Sequence, residues 1–291
     1  SASGGTKIQN GYSPDTSTEL HAQWKTNGYN ISYSLNNGTK GSSAPTSATY
    51  DNVVTISNPT KTVTVTGDAN GTGATVGSAT SKAQTFAGWT ASNLNTSTAY
   101  YGTSNTAVST NWSNASTKVT AQYFKNLNPT SGATVTLTAN WTAVGVPTPT
   151  LTKTGYTCKW NTAQNGSGTS INPGGTFTPT ATQGNQTLYA VCTANGYNIS
   201  YNLNNGTKGS SAPTSATYNN VITISNPTKT ITVTGNANGT GATVGSATSK
   251  AQTFAGWTAS NLNTSTAYYG TSNTAVSTNW SNASTKVTAQ Y

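Results

Sequence analysis

The sequence predicts a mainly β protein with little or no helix, arranged as a tandem array of small modules. Residues that favour strands, such as Thr, Val, Tyr and Trp, alternate with the turn-forming residues Gly, Asn and Pro throughout the chain. No long window carries an apolar stripe at the 3.6-residue period of a helix. A long segment also occurs twice, as is typical of repeat architectures.

The repeated segment comprises residues 28–123 and residues 196–291. The two copies differ at five positions: Ser34/Asn202, Asp51/Asn219, Val54/Ile222, Val63/Ile231 and Asp68/Asn236. Such near-identity indicates a recent duplication. Because two of the differences exchange Asp for Asn, we interpret both aspartates as solvated loop residues rather than calcium ligands or proton-transfer groups.

A shorter motif, Leu/Val-x-Ala-x-aromatic, recurs along the chain; three of its occurrences lie near the expected ends of modules and one lies within the long module. Alternation along such a segment predicts a strand whose first, third and fifth side chains face the core. Three segments match the motif and a fourth ends in Cys instead of an aromatic residue: Leu20–Trp24, Val119–Tyr123, Leu137–Trp141 and Leu188–Cys192.

These boundaries divide the chain into four parts, and neither end of the sequence coincides with a module boundary. We therefore expect the sequence to be a stretch of a longer repetitive polypeptide. The parts are the C-terminal portion of a preceding module (1–27), a long module with insertions (28–142), a short module (143–195) and a second, incomplete copy of the long module (196–291).

The motifs together resemble a known repeat. The long unit opens with YNISYSLNNG, passes through Pro-Thr-Lys-Thr to Phe86–Trp89, and closes with Leu-x-Ala-x-Trp; residues 147–192 continue with a GYT stretch, a GSGT turn and a terminal strand. This order is similar to the Listeria–Bacteroides repeat, also called the internalin B-repeat. The resemblance implies small β-grasp-like modules, with a short helix or none, that serve bacterial surface proteins as spacers or adhesive segments.

The two cysteines, Cys158 and Cys192, are too few for a zinc site even with the single His21, and they form no CxxC motif. No base for a nucleophilic cysteine is evident either. In the resembled family, Cys158 takes the place of the core Phe of the GYT motif and Cys192 that of the terminal Trp. The resemblance therefore implies that both face one small core, and it predicts a Cys158–Cys192 disulfide.

No catalytic, cofactor-binding or metal-binding residue is predicted. Acid–base chemistry needs positioned titratable groups, and the chain has one His and four carboxylates: Asp15, Glu19, Asp51 and Asp68. The net charge of +9 comes from thirteen scattered Lys without a basic run, so we expect no nucleic-acid partner. No segment is apolar enough to span a membrane, and any export signal would lie outside this chain.

Two tryptophans lie outside the core motifs. Trp112 and its copy Trp280, each followed by Ser-Asn, are the candidates for a surface that stacks on sugars.

The sequence as a whole favours a structural segment of a secreted or cell-surface protein, such as a stalk, fibre or sheath. Its expected partners are neighbouring modules or other copies of itself. One alternative is an adhesin that binds cell-wall or host glycans, or a host protein, through the inserts at residues 90–118 and 258–286. A second alternative is a self-assembling extracellular filament whose edge strands pair between chains.

Overall fold

The structure is a computed structural model that describes residues 16, 17, 19 and 21–291. Over these residues it consists of strands and loops without any helix, which confirms the mainly β prediction. Leu20 and most of the predicted first part, residues 1–27, lie outside the described residues. His21–Trp24, the described remainder of the first predicted strand, do not lie in a strand.

The long module, residues 28–142, holds eleven strands. They are β1 (Gly28–Ser34), β2 (Ser47–Thr49), β3 (Val53–Thr55), β4 (Thr62–Asp68), β5 (Thr75–Val76), β6 (Thr80–Ala83), β7 (Thr85–Ser92), β8 (Tyr100–Gly102), β9 (Val108–Asn111), β10 (Tyr123–Lys125) and β11 (Thr134–Thr142).

The rest of the chain has shorter strands. They are β12 (Val146–Pro147), β13 (Leu151–Thr152), β14 (Tyr156–Asn161), β15 (Ser170–Ile171), β16 (Thr176–Phe177), β17 (Gln186–Ala194), β18 (Gly196–Asn198), β19 (Ser215–Thr217), β20 (Thr230–Val233), β21 (Thr248–Ala251), β22 (Tyr268–Gly270) and β23 (Val276–Asn279).

Strand β11 is the centre of the first sheet, whose strand order is β2-β1-β11-β7. It runs parallel to β1 and antiparallel to β7, so its backbone is paired on both sides. Its side chains alternate between the core and the opposite face, as a half-buried strand requires. Those that point into the core are Val135, Leu137, Ala139 and Trp141.

A second sheet of order β3-β10-β8-β9 packs on the same core. The core is rich in aromatic and branched side chains, in spite of the polar composition of the chain. Its largest members are Tyr29, Ile31, Ile56, Trp89, Trp112, Phe124, Leu127, Leu137 and Trp141.

A five-stranded sheet of order β15-β14-β17-β4-β6 brings together strands from the long and the short module. Within it, β4 pairs with β17 in parallel, and Val65 lies opposite Gln186. The described chain divides into two compact units. The first unit holds the described residues up to Asn70, Val76–Thr150 and Trp160–Ala190; the second holds Gly71–Thr75, Leu151–Lys159 and Val191–Tyr291.

Two of the strands predicted from the Ala-containing motif are confirmed, since Leu137–Trp141 lies within β11 and Leu188–Cys192 within β17. The predicted strand at Val119–Tyr123 is wrong. Val119 makes an isolated bridge to Trp89 at the first sheet, whereas Tyr123 begins β10 between β3 and β8 in the second sheet. The chain bends at Gln122 because one straight strand would not reach both sheets.

The glycine of the Phe-Ala-Gly-Trp motif lies where two backbone segments approach each other closely. Gly88 has a φ of +116°, and a Cβ placed on it would lie 2.9 Å from the backbone nitrogen of Val119. The absence of a side chain therefore allows the segment containing Val119 to approach β7 and exchange backbone hydrogen bonds with Trp89.

We predict that Gly88→Ala destabilises the fold more than Gly132→Ala does. Gly132 also has a positive φ, +75°, but a Cβ there would meet nothing within 4 Å. Gly132→Ala, the control, should lower the free energy of unfolding by about 1 kcal/mol through backbone strain alone. Gly88→Ala should lower it by about 1–3 kcal/mol more, because the backbone that overlaps the new Cβ must move. Urea unfolding of both variants measures the difference, and equal losses would contradict this role of Gly88.

Candidate functional site

The two cysteines form a disulfide, as predicted. Cys158 in β14 and Cys192 in β17 are bonded at 2.02 Å across a sequence separation of 34 residues, which leaves no free thiol. Both side chains are half-buried. The bond joins adjacent strands of one sheet, so it acts as a covalent brace and supplies no reactive sulfur.

Two aromatic rings, those of Tyr156 and Tyr218, pack together within the second compact unit. The Lys153 ammonium lies 3.8 Å from the centre of the Tyr156 ring and donates a hydrogen bond to the Thr72 carbonyl oxygen. The Tyr156 ring also makes an edge-on contact with the Tyr218 ring, and the two ring centres are 5.7 Å apart. Gly155, with a φ of +75°, lies directly under the Tyr218 ring, where a Cβ would overlap it. The Gly-Tyr of the GYT motif thus serves a packing role.

Lys61 is buried in the first compact unit. Its ammonium donates to the backbone oxygens of Asn36 at 2.9 Å and Ala181 at 2.8 Å, and it lies 5.7 Å from the Trp141 ring. Burial lowers the pKa of this ammonium because the charged form loses solvation. These interactions hold two loops against the end of β11. Lys61 therefore has a structural role.

Of the two aspartates of the first copy, Asp51 lies in a turn, as its interpretation as a loop residue requires, whereas Asp68 is the exposed last residue of β4. Asp68 accepts a hydrogen bond from the Asn70 backbone nitrogen at 2.7 Å, and its counterpart Asn236 accepts the same bond from Asn238 at 2.9 Å. The amide oxygen replaces the carboxylate in this turn without losing the contact. Asp51 lies 3.6 Å from the Lys125 ammonium and is largely exposed.

Within the described part of the chain, no three residues among His, Cys, Asp and Glu come together as metal ligands would. The described residues also contain no helix that could cross a membrane.

Trp112 is a core residue, which corrects its assignment as a candidate surface residue. Only 1% of its surface is exposed, its Nε1 donates to the Thr117 carbonyl oxygen at 3.2 Å, and its ring packs 5.7 Å from Phe124. Trp280 keeps the equivalent hydrogen bond to Thr285 but is only half-buried. Among the described residues, the Trp280 ring keeps its contact with Tyr269 at 6.4 Å, and no ring takes the place of Phe124.

Several core residues of the first copy have exposed counterparts in the second copy. Tyr29 is 1% exposed whereas its counterpart Tyr197 is 48% exposed. The change is larger at Val65, which is fully buried while Val233 is 66% exposed.

Comparison with protein-family models, with curated proteins and with solved structures finds no match to this chain. The relation to the Listeria–Bacteroides repeat therefore rests on the motifs alone.

We predict that the disulfide contributes about 3–4 kcal/mol to the free energy of unfolding, because closing its loop restricts the unfolded chain. Reduction, or the double substitution Cys158→Ser with Cys192→Ser, should lower the urea unfolding midpoint. The double variant is the control, since reductant should leave it unchanged. Coincident midpoints for oxidised and reduced protein, with reduction verified by mass, would overturn the prediction.

We also predict a loss of stability at alkaline pH that depends on Tyr33. Burial raises the pKa of its phenol to about 12, from the usual 10.0, and the hydroxyl donates to the Pro45 carbonyl oxygen at 2.8 Å. Above pH 10 the unfolded chain ionises first, so the free energy of unfolding should fall as the pH rises from 10 to about 12. Tyr33→Phe should reduce this dependence of the free energy of unfolding on pH. An unchanged dependence would contradict the prediction.

Proposed function

We propose that this protein is a structural tandem-repeat segment of a secreted or cell-surface protein, in which it serves as part of a stalk, fibre or sheath. The observation that carries the proposal is the nature of the five differences between the copies. Two exchange Asp for Asn and two exchange Val for Ile, so each of these four retains the size or the hydrogen-bonding capacity of the side chain.

The two copies share local aromatic contacts and turn geometry. Tyr33 packs on Trp89 at 5.7 Å, and Tyr201 packs on Trp257 at 5.6 Å in the second copy. The rings of Tyr101 and Trp112, and of their counterparts Tyr269 and Trp280, lie 6.4 Å apart in both copies. Repetition of a packing unit is the property that an architectural segment requires.

The disulfide supports an extracellular location for the segment, because disulfides persist in oxidising compartments and are rare where cellular thiols are kept reduced. The resemblance to the Listeria–Bacteroides repeat supports the same location. The adhesin alternative loses its main candidate, since the ring of Trp112 is buried.

The proposal predicts that length grows in proportion to the number of repeats. Inserting one or two further copies of residues 28–195 after Asn195 should add an equal increment of maximum dimension for each copy, measured by small-angle X-ray scattering and by negative-stain microscopy. A Gly/Ser insert with the same number of residues is the control, and its length should grow only as the square root of residue number. Added copies that collapse into a globule would refute the proposal.

A further inference from the structure

The chain is rich in acceptor motifs for N-linked sugars. The motif is Asn-x-Ser/Thr, in which x is any residue except Pro, and it occurs fifteen times in the sequence. Because Asn, Ser and Thr are all abundant, the motif by itself does not distinguish one site from another. The structure does distinguish them, through the hydrogen bonds of the side-chain amide nitrogen, Nδ2, which is the atom that would carry the sugar.

At five of these sites the Nδ2 atom already holds two parts of the fold together. Asn37 donates to the Thr182 carbonyl oxygen at 2.7 Å, and Asn70 donates to the Gln164 carbonyl oxygen at 2.9 Å. A sugar on either nitrogen would replace a hydrogen bond between distant segments. The other three lie within strands and donate to backbone oxygens of neighbouring segments: Asn30, Asn111 and Asn140.

Asn114 is different, because its loop uses every polar atom of the residue except Nδ2 to hold its shape. The Asn114 Oδ1 accepts a hydrogen bond from the Ser116 backbone nitrogen at 2.9 Å, and its carbonyl oxygen accepts one from the Thr117 nitrogen at 3.0 Å. The buried Trp112 anchors the loop, since its Nε1 donates to the Thr117 carbonyl oxygen. Asn114 is exposed, and no described residue accepts from its Nδ2.

The second copy builds the same loop around Asn282. The Asn282 Oδ1 accepts from the Ser284 backbone nitrogen at 2.9 Å, and its carbonyl oxygen accepts from the Thr285 nitrogen at 3.0 Å. Trp280 donates to the Thr285 carbonyl oxygen, as Trp112 does to Thr117. The geometry is thus a local property of the segment Trp-Ser-Asn-Ala-Ser-Thr, and it leaves the same amide nitrogen directed at solvent.

Asn165 presents its amide in a second kind of loop. Its Oδ1 accepts hydrogen bonds from the Ser167 backbone nitrogen at 3.1 Å and from the Ser167 hydroxyl at 2.7 Å. The buried Asn161 closes the loop from inside by donating to the carbonyl oxygens of Gly166 at 2.9 Å and Gly168 at 3.1 Å. Asn165 itself is exposed, and its Nδ2 has no acceptor among the described residues.

We propose that Asn114, Asn165 and Asn282 carry N-linked glycans. The inference rests on the proposed function to the extent that this modification belongs to exported proteins. In the transfer, the Nδ2 atom forms a bond to C1 of a sugar, and the bond from C1 to the diphosphate of a polyprenyl-diphosphate carrier breaks. The amide loses one proton, and the lipid diphosphate leaves.

The glycans would supply surface properties that the side chains lack. Charged residues make up 6% of the chain, whereas about 25% is typical of soluble domains. Sugars are bulky and strongly hydrated, so they keep such a surface in solution. β9 is also an edge strand of the second sheet and ends at Asn111, three residues before Asn114. Exposed edges pair with other chains unless they are covered, and a glycan on Asn114 covers this one.

The first test is peptide mapping by mass spectrometry of the full chain, recovered from the surface or the medium of the cells that produce it. Peptides that contain Asn114, Asn165 and Asn282 should carry the mass of a glycan. Release of the glycans by peptide-N-glycosidase should convert the three residues to Asp. Unmodified peptides, or sugar on Ser and Thr alone, would overturn the proposal.

Matched variants separate the acceptor motif from the turn. Ser116→Ala keeps the turn, because Ser116 contributes its backbone nitrogen to it, but removes the hydroxyl that the motif requires. This variant should lose the glycan on Asn114 completely and keep those on Asn165 and Asn282. Ser116→Thr should keep all three. A sugar that remains on Asn114 in Ser116→Ala would contradict N-linked transfer.

A reconstituted reaction tests the selection among sites. The folded chain is incubated with a purified single-subunit oligosaccharyltransferase and a polyprenyl-diphosphate-linked oligosaccharide. Asn165, Asn37 and Asn70 are matched, since each is followed by Gly and a hydroxyl residue. Asn165 should be modified at least about tenfold faster than the other two, because no hydrogen bond within the protein has to break. Short peptides with the three sequences should react at similar rates. Equal rates in the folded chain would refute the selection.

The spacer proposal and this inference fail in different ways. Absence of glycans, with length still growing in proportion to repeat number, would overturn this inference alone. Glycans on a chain whose length does not grow with added repeats would overturn the spacer proposal alone.

Discussion

The pairing of β11 with both β1 and β7 is the interaction on which the rest of the described architecture depends. It buries Leu137 and Trp141 and supplies backbone partners on two sides. The two copies of the repeat act as a natural comparison, since they differ at five positions only. Where β11 is present, the flanking segments are strands of seven and eight residues; where it has no counterpart, they shorten to three residues and to a bridge. Long-range pairing therefore decides whether these segments are strands.

The polar composition of the chain is explained by its turns. Within the described part of the chain, every residue with positive φ other than glycine is Asn or Asp, for example Asn37 and Asp51. These side chains tolerate the left-handed conformation and bond their own backbone, so they replace charged residues at the surface and close tight loops. Asn side chains also reach across the fold, as Asn36 does when it donates to the Ala139 carbonyl oxygen at 2.8 Å. A chain with few charges can thus remain both folded and solvated.

The same features connect the structure with the proposed role. Turns that accept Asn or Asp, as at Asp68 and Asn236, allow the segment to be copied with its local turn contacts retained. A disulfide braces the short module, whose own core is small.

The sequence by itself determined the β class, the repeat and the disulfide, because strand-forming composition, identity between segments and the paired motif positions are properties of the chain. The tertiary structure alone decided the rest. It buried Trp112 under Phe124, it bent the chain between Val119 and Tyr123 so that it serves two sheets, and it paired β4 with β17 across an expected module boundary. The physical reason is that a strand has no stable form without its neighbours. Residues 28–34 and 196–202 are almost the same sequence, and only the presence of β11 makes the first of them a full strand.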